Sequence, residues 1–247
     1  MFSVAAPIAL LMALGAGAPT DGEDVIRAAY KMYAGKWFTT MTFVQKTTFP
    51  DAPTQTWYEA MELPGKLRID IAPVGARAML FRNDSIYNFA DGKGRPGRPF
   101  VHSMLVLLGD MRVLPPEQTI AKLKGLGFDL TKTHETDWNG KTVIVVGAAK
   151  GDSTSKQFWL EKERMLTVRL IEPAGANRMM DARFDKYGKE GDAWVEREIL
   201  IYMNGVLSQG EEYTQVKTNV THEAGLFEPT HDLKKAAWVG EGIEIFK

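Results

Sequence analysis

The chain contains no cysteine in 247 residues. That excludes a disulfide framework, a thiol nucleophile, cysteine-ligated zinc and a lipid-modified cysteine at a processed N-terminus. Excess charge is missing as well, because 30 basic residues against 31 acidic ones leave a net charge of −1. Binding to phosphates needs clustered Lys and Arg, so nucleic acid is set aside as a partner. Histidine is scarce. The four present, His102, His134, His222 and His231, include no pair at the i, i+4 spacing of a helical zinc-protease motif, and they point to no metal site. G-x-S-x-G, a P-loop and a dinucleotide fingerprint are also absent. The carboxylate pairs Glu161/Glu163 and Glu196/Glu198 lie two apart in strand-like stretches beside basic residues, the pattern of a solvated face rather than of a glycosidase pair. The sequence thus offers no catalytic residue and asks for no cofactor.

Long apolar runs are missing too, with one short exception near the start. "VAAPIALLMALGAGA" (4–18) falls below the ~20 residues that span a bilayer, and it ends in Ala16-Gly17-Ala18, a small-x-small cleavage pattern. It resembles a secretory signal. Residues 1–18 are therefore expected to direct export, with 19–247 forming a single domain, an extension from about residue 232, and no transmembrane span in the mature chain.

What is present is periodic. "DGEDVIRAAYKMYAGKW" predicts one amphipathic helix, with Asp21 or Asp24 as its cap and Gly35 at its exit. From Trp37 the period falls to two: Trp37, Met41 and Phe43 lie on one side of a strand, with Thr40, Thr42 and Lys46 on a wet one. Turn signals then punctuate a meander, and "DGKGRPGRP" reads as an exposed loop. "VHSMLVLLGDM" (101–111) is nearly continuously apolar, and in "PPEQTIAKLKGLG" Pro116 suits a first helical turn and Gly125 a helix end. These are helices inserted into a β protein. Strands resume afterwards, with Asn139-Gly140 as a tight hairpin turn. About 11 antiparallel strands follow from this reading.

The strands supply more apolar surface than one sheet face can leave uncovered. Leu67, Ile69 and Ile71 alternate with Lys66, Arg68 and Asp70, and Phe43, Trp57, Met61, Met79, Phe81, Phe158, Leu160, Met180 and Phe184 add to the same supply. A curled sheet that does not close has a concave face that must be covered or occupied. The 12 methionines suit either a hollow that tolerates variable guests or a packed core that uses Met as filler, and composition by itself favours filler.

The order of segments narrows the choice. An N-terminal helix, "FVQ" (43–45), "PGKLRID" (64–70), "SIYNF" (85–89), inserted helices, "FWLEKERMLTVRLIEP" (158–173) and "NVTHEAGLFEPT" (219–230) together resemble the LolA/LolB-like outer-membrane lipoprotein carriers. The resemblance implies an unclosed antiparallel half-barrel with helices over its concave face. It further implies a periplasmic, non-enzymatic carrier that holds acyl chains of lipoproteins or lipids and moves them between an inner-membrane donor and an outer-membrane acceptor. Phe43 and Gln45 match the family's F-x-Q, and Leu67 and Ile69 match positions that line its cavity. One position departs. The family's carriers place an arginine that latches the lid immediately before the motif's proline, and here Leu63 precedes Pro64.

The expected cargo site is Phe43, Trp57, Leu67, Ile69, Met79, Phe81, Phe158 and Leu160. The expected lid is the helix carrying Met104, Leu105 and Leu108, since Leu105 and Leu108 otherwise lack an apolar neighbour. Two other roles stay open on the same scaffold: an envelope sensor or scaffold that binds a protein partner, and an envelope hydrolase, for which no nucleophile and base stand in register.

Overall fold

The computed structural model describes residues 21–229 together with Val239. The segment expected to direct export, the extension from about residue 232 and His231 lie outside the described residues. Helix α1 (Gly22–Tyr33) uses Asp21 as its cap, the carboxylate accepting from Asp24 N–H at 3.0 Å. Its Val25, Ile26 and Ala29 recur at helical spacing and are wholly buried.

The chain then meanders through β1 (Thr40–Phe49), β2 (Ala52–Glu62), β3 (Lys66–Ile71), β4 (Arg77–Arg82) and β5 (Ser85–Ala90), with short edge strands β6 (Lys93–Gly94) and β7 (Arg98–Pro99). The stretch 91–100 around those edges is exposed, as its composition predicts. The helical insertion is α2 (Ser103–Leu105), a π-helical turn at Val106–Asp110 and α3 (Met111–Val113), followed by α4 (Pro116–Gly125), which begins and ends at the expected proline and glycine. β8 (Thr133–Trp138) and β9 (Lys141–Val146) form the hairpin on Asn139-Gly140, whose φ angles of 49° and 75° are those a tight turn needs. β10 (Gln157–Glu161), β11 (Leu166–Pro173) and β12 (Met179–Asp185) lead to a small hairpin, β13 (Gly188–Glu190) and β14 (Ala193–Val195), before β15 (Glu198–Met203) and β16 (Val206–Thr218).

One antiparallel sheet of 14 strands runs in the order β6-β5-β4-β3-β2-β1-β16-β15-β12-β11-β10-β9-β8, with β7 also paired to β5. The end strands do not pair with each other, so the sheet curls without closing. Strands beyond the expected number include β6 and β7 at the edge of this sheet and β13 and β14, which pair in a separate small sheet; they span only two or three residues each, too few to show alternation in a sequence. The first and last long strands, β1 and β16, are neighbours.

The concave face divides in two. Over β9 to β12 and β15, Ile144, Val146, Phe158, Leu160, Leu170, Ala182, Phe184 and Ile199 pack against α1, α4 and Leu107 and Met111 of the insertion. Over β1 to β5, Phe43, Met61, Leu67, Ile69 and Phe81 share a second cluster with Leu105.

The convex face corrects one expectation. Thr42 is buried rather than wet, and so are Arg68 and Asp70. The segment 219–229 lies over this back face, where Leu226 and Phe227 pack on Ala60, Ala78, Leu80 and Phe89. Arg68 donates to both oxygens of Asp70, at 2.7 and 3.0 Å, and to Leu226 O at 3.3 Å. Burial of these charges is tolerable because they pair.

Candidate functional site

Where the β1–β4 half faces the insertion, the side chains do not meet. They leave a cavity of about 320 Å³, near the lower bound of the ~300–1,000 Å³ typical of small-molecule sites. Strand register explains its walls. Phe43 of β1 faces Glu59 of β2, which faces Ile69 of β3, which faces Met79 of β4. Met61, Leu67 and Phe81 form the adjoining row. Alternation puts every one of these on the concave side.

Of the residues singled out from sequence, Phe43, Trp57, Leu67, Ile69, Met79 and Phe81 line this cavity, and Met104, Leu105 and Leu108 line it from the insertion. Phe158 and Leu160 do not. They are wholly buried in the other half, Phe158 edge-on to Phe128 at 5.4 Å between ring centres. Alternation shows which strand face is apolar, and it carries no information on whether a helix or a hollow lies above it.

The cover is held at several points. Asp110 Oδ1 accepts from Gly65 N–H at 2.8 Å, and burial pushes the Asp110 carboxyl up to about 6. Leu63, where the lipoprotein carriers place arginine, lies against Gly109 so closely that a Cβ there would come within 2.5 Å of Leu63 Cδ2. A guanidinium does hold a backbone carbonyl of the insertion, but it comes from α3: Arg112 donates to Leu107 O at 2.7 Å and to Met165 O at 2.6 Å. Thr167 Oγ1 donates to the same Leu107 O at 2.9 Å. At the other end Ser103 Oγ donates to Glu172 at 2.8 Å, and Phe81, Phe100 and His102 meet ring to ring. A π-helical turn in a cover of this kind marks a segment whose hydrogen bonding departs from the α-helical ladder, a feature common at functional sites.

The cavity is not uniformly apolar, and here sequence reasoning missed the polar members. Gln45, Glu59, Glu172, Glu196, Gln209, Glu211, His102 and Tyr213 also line it. Glu196 was read as part of a solvated pair. Instead the β13–β14 hairpin turns the chain inward and buries it, while Glu198 pairs with Lys186 at the surface. Glu161 of the other pair is buried but bound by Lys141 and Arg164. Burial pushes Glu59 well above the carboxylate range, with the charges of Glu211 and Glu196 adding to it. Burial likewise raises Glu196 and Glu211 to about 7. One signal was available: Glu59 falls between Trp57 and Met61 on the apolar phase of its strand. Among the described residues, no group of three or more His, Asp and Glu is placed to hold a metal ion.

No protein-family model and no curated protein matches the sequence. Solved structures do. A DUF1329 family protein from Desulfovibrio piger aligns with a TM-score of 0.54 at 13% identity, covering 84% of this chain and 95% of the other. A proposed outer membrane lipoprotein-sorting protein domain from Vibrio parahaemolyticus aligns with a TM-score of 0.56 at 13% identity, over 84% and 96%. A LolA superfamily protein from Nitrosomonas europaea matches at 10% identity and a TM-score of 0.48, over 81% and 94%. At such identities the likeness is one of fold, and the chain shares with the first two structures the fold of an open antiparallel half-barrel.

Proposed function

We propose that the protein is an exported, periplasmic carrier without enzymatic activity, which holds an acyl chain of a lipid or lipoprotein in this hollow and moves it between envelope membranes. The observation that supports the reading is the unfilled apolar space itself, walled by Phe43, Leu67, Ile69, Met79 and Phe81 and covered by Met104, Leu105 and Leu108 of the short insertion. At roughly a water's ~30 Å³ per methylene, the space takes about ten carbons, which is one chain rather than two. At ~0.8 kcal/mol per buried methylene this contributes about 8 kcal/mol before the costs of ordering and association. A chain in transit between membranes would be sheltered from water by the hollow. Donor and acceptor membranes would then be served by displacement of the insertion.

Organic extraction of the purified protein followed by mass spectrometry tests this reading. Lipid is expected with the native chain and lost in Leu67→Glu and Ile69→Glu, with the β-sheet circular-dichroism spectrum kept. Lipid retained by both variants, or a lipid-free native protein that binds no added dodecanol, would contradict it. A lipid-free protein that instead captures an envelope protein would favour the sensor or scaffold role.

A further inference from the structure

The polar wall of the cavity is unused by a role that needs only tail burial. Glu59 on β2, Glu211 on β16 and Glu196 between β14 and β15 all line the hollow, at 3%, 9% and 7% exposure. Their placement is built in by register. Glu59 faces Phe43 and Glu211 faces Thr47, and Phe43, Gln45 and Thr47 share one face of β1.

The groups differ in what already satisfies them. Glu211 accepts from Gln209 Nε2 at 2.6 Å and from the Tyr213 hydroxyl at 3.2 Å. The fourth carboxylate of the lining, Glu172, is bound by Ser103 and by Lys156 Nζ at 2.8 Å. Gln45 donates to Thr47 at 2.8 Å. Glu59 stands apart, because its Oε1 is buried and has no hydrogen-bond partner. A buried acceptor left unpaired costs free energy that a donor would recover.

The charge balance of the wall says which donor. The residues lining the cavity include four carboxylates and neither lysine nor arginine. The imidazole, His102, is desolvated to about 4 and so is neutral. An anionic head, whether phosphate or carboxylate, would find no cation in this lining and would oppose ionisation of its carboxyls. A head that donates and carries positive charge would meet an open acceptor and two carboxylates with none of their own cations in the lining.

We infer that the cavity takes a single-chain amphiphile whose polar end is a primary ammonium, donating to Glu59 Oε1 with Glu196 and Glu211 as countercharge and its chain along Phe43, Ile69 and Met79. This rests on the tail-binding role proposed above and adds the head. Burial favours the protonated form of all three carboxyls in the empty cavity, Glu59 most of all, so binding an ammonium shifts them toward the ionised form and releases protons. The other groups acting on them electrostatically are Tyr213, Tyr187, the buried Arg112 and Arg197; Arg112 is already committed to two backbone carbonyls and Arg197 to Glu190, and neither lines the cavity.

The test is calorimetric titration at pH 7.5 with dodecylammonium, dodecanoate and dodecanol, each below its micellar concentration. The inference predicts that the ammonium binds at least tenfold more tightly than either of the others. It also predicts proton release, seen as a dependence of the heat on the buffer's ionisation enthalpy. Glu59→Gln should collapse the ammonium-to-alkanol affinity ratio toward one, and Glu211→Gln serves if that variant does not fold. Dodecanol and dodecanoate binding as tightly as the ammonium, or a ratio unchanged in the variants, overturns the head assignment and leaves tail binding standing. No binding by any of the three overturns both.

Discussion

The two halves of the concave face come from one sheet and one sequence pattern, yet one is sealed and the other hollow. Over β9 to β12, alternate apolar residues meet Val25, Ile26 and Ala29 of α1, Ile120 and Leu123 of α4, and Phe128 and Leu130. Over β1 to β4, the equivalent positions share a cluster with Leu105 of a short, broken insertion, which leaves a gap above them. The comparison teaches that the cover, not the strand, decides whether an apolar face becomes a core or a site. A second difference follows. The sealed half pairs its buried carboxylate, Glu161, with Lys141 and Arg164, whereas the hollow half leaves Glu59 unpaired.

Truncation should separate the halves most sharply. Phe158→Ala removes a ring from close packing and is expected to cost about 3–5 kcal/mol. Leu67→Ala is expected to cost about half as much, because the space it opens adjoins one that already exists. Urea denaturation of both variants measures this. Equal losses would mean the two halves are packed alike.

The carboxylates give the next effect. Glu196 and Glu211 are raised by burial to about 7, so the folded protein binds their protons more tightly than the unfolded chain does. Their contribution is complete below about pH 4.5 and lost as pH rises through about 7, with a slope of at most ~1.4 kcal/mol per pH unit for each group. Thermal melts across that window should show stability falling, and Glu196→Gln or Glu211→Gln should flatten the curve. A flat native profile would place these groups in water.

The smallest effect concerns the cover. Asp110→Ala leaves Gly65 N–H without its acceptor and is expected to cost about 1 kcal/mol. Amide hydrogen exchange should quicken in Leu105–Asp110 and stay unchanged in α1. Quickening in both would show that the insertion is not separable from the sealed half.

Much of this was legible beforehand, for physical reasons that also mark the limit. The Asp21 cap, Pro116 and Gly125 at the ends of α4, and Asn139-Gly140 act locally, over three or four residues, and a sequence displays them directly. Leu67 and Ile69 announced an apolar face through alternation. Phe158 and Leu160 announced an equally good one, and were assigned to the cavity because nothing local distinguishes a strand under α4 from a strand under a gap. The burial of Glu196 depends on a hairpin of two three-residue strands turning inward, and that of Arg68 and Asp70 on a segment more than 150 residues later, by Leu226. Such long-range placement has no periodic trace. Glu59 is the instructive case, since a carboxylate on the apolar phase of a strand is either an error of register or a functional group.

The central claim is that a guest chain completes the hollow half, and Trp57 stands at its wall to report on it. Titration with 12-bromododecanol, monitored by tryptophan fluorescence, tests this directly. The account predicts saturable quenching in the native protein that is largely lost in Trp57→Phe. Quenching of equal size in that variant, or none in the native protein, would contradict it.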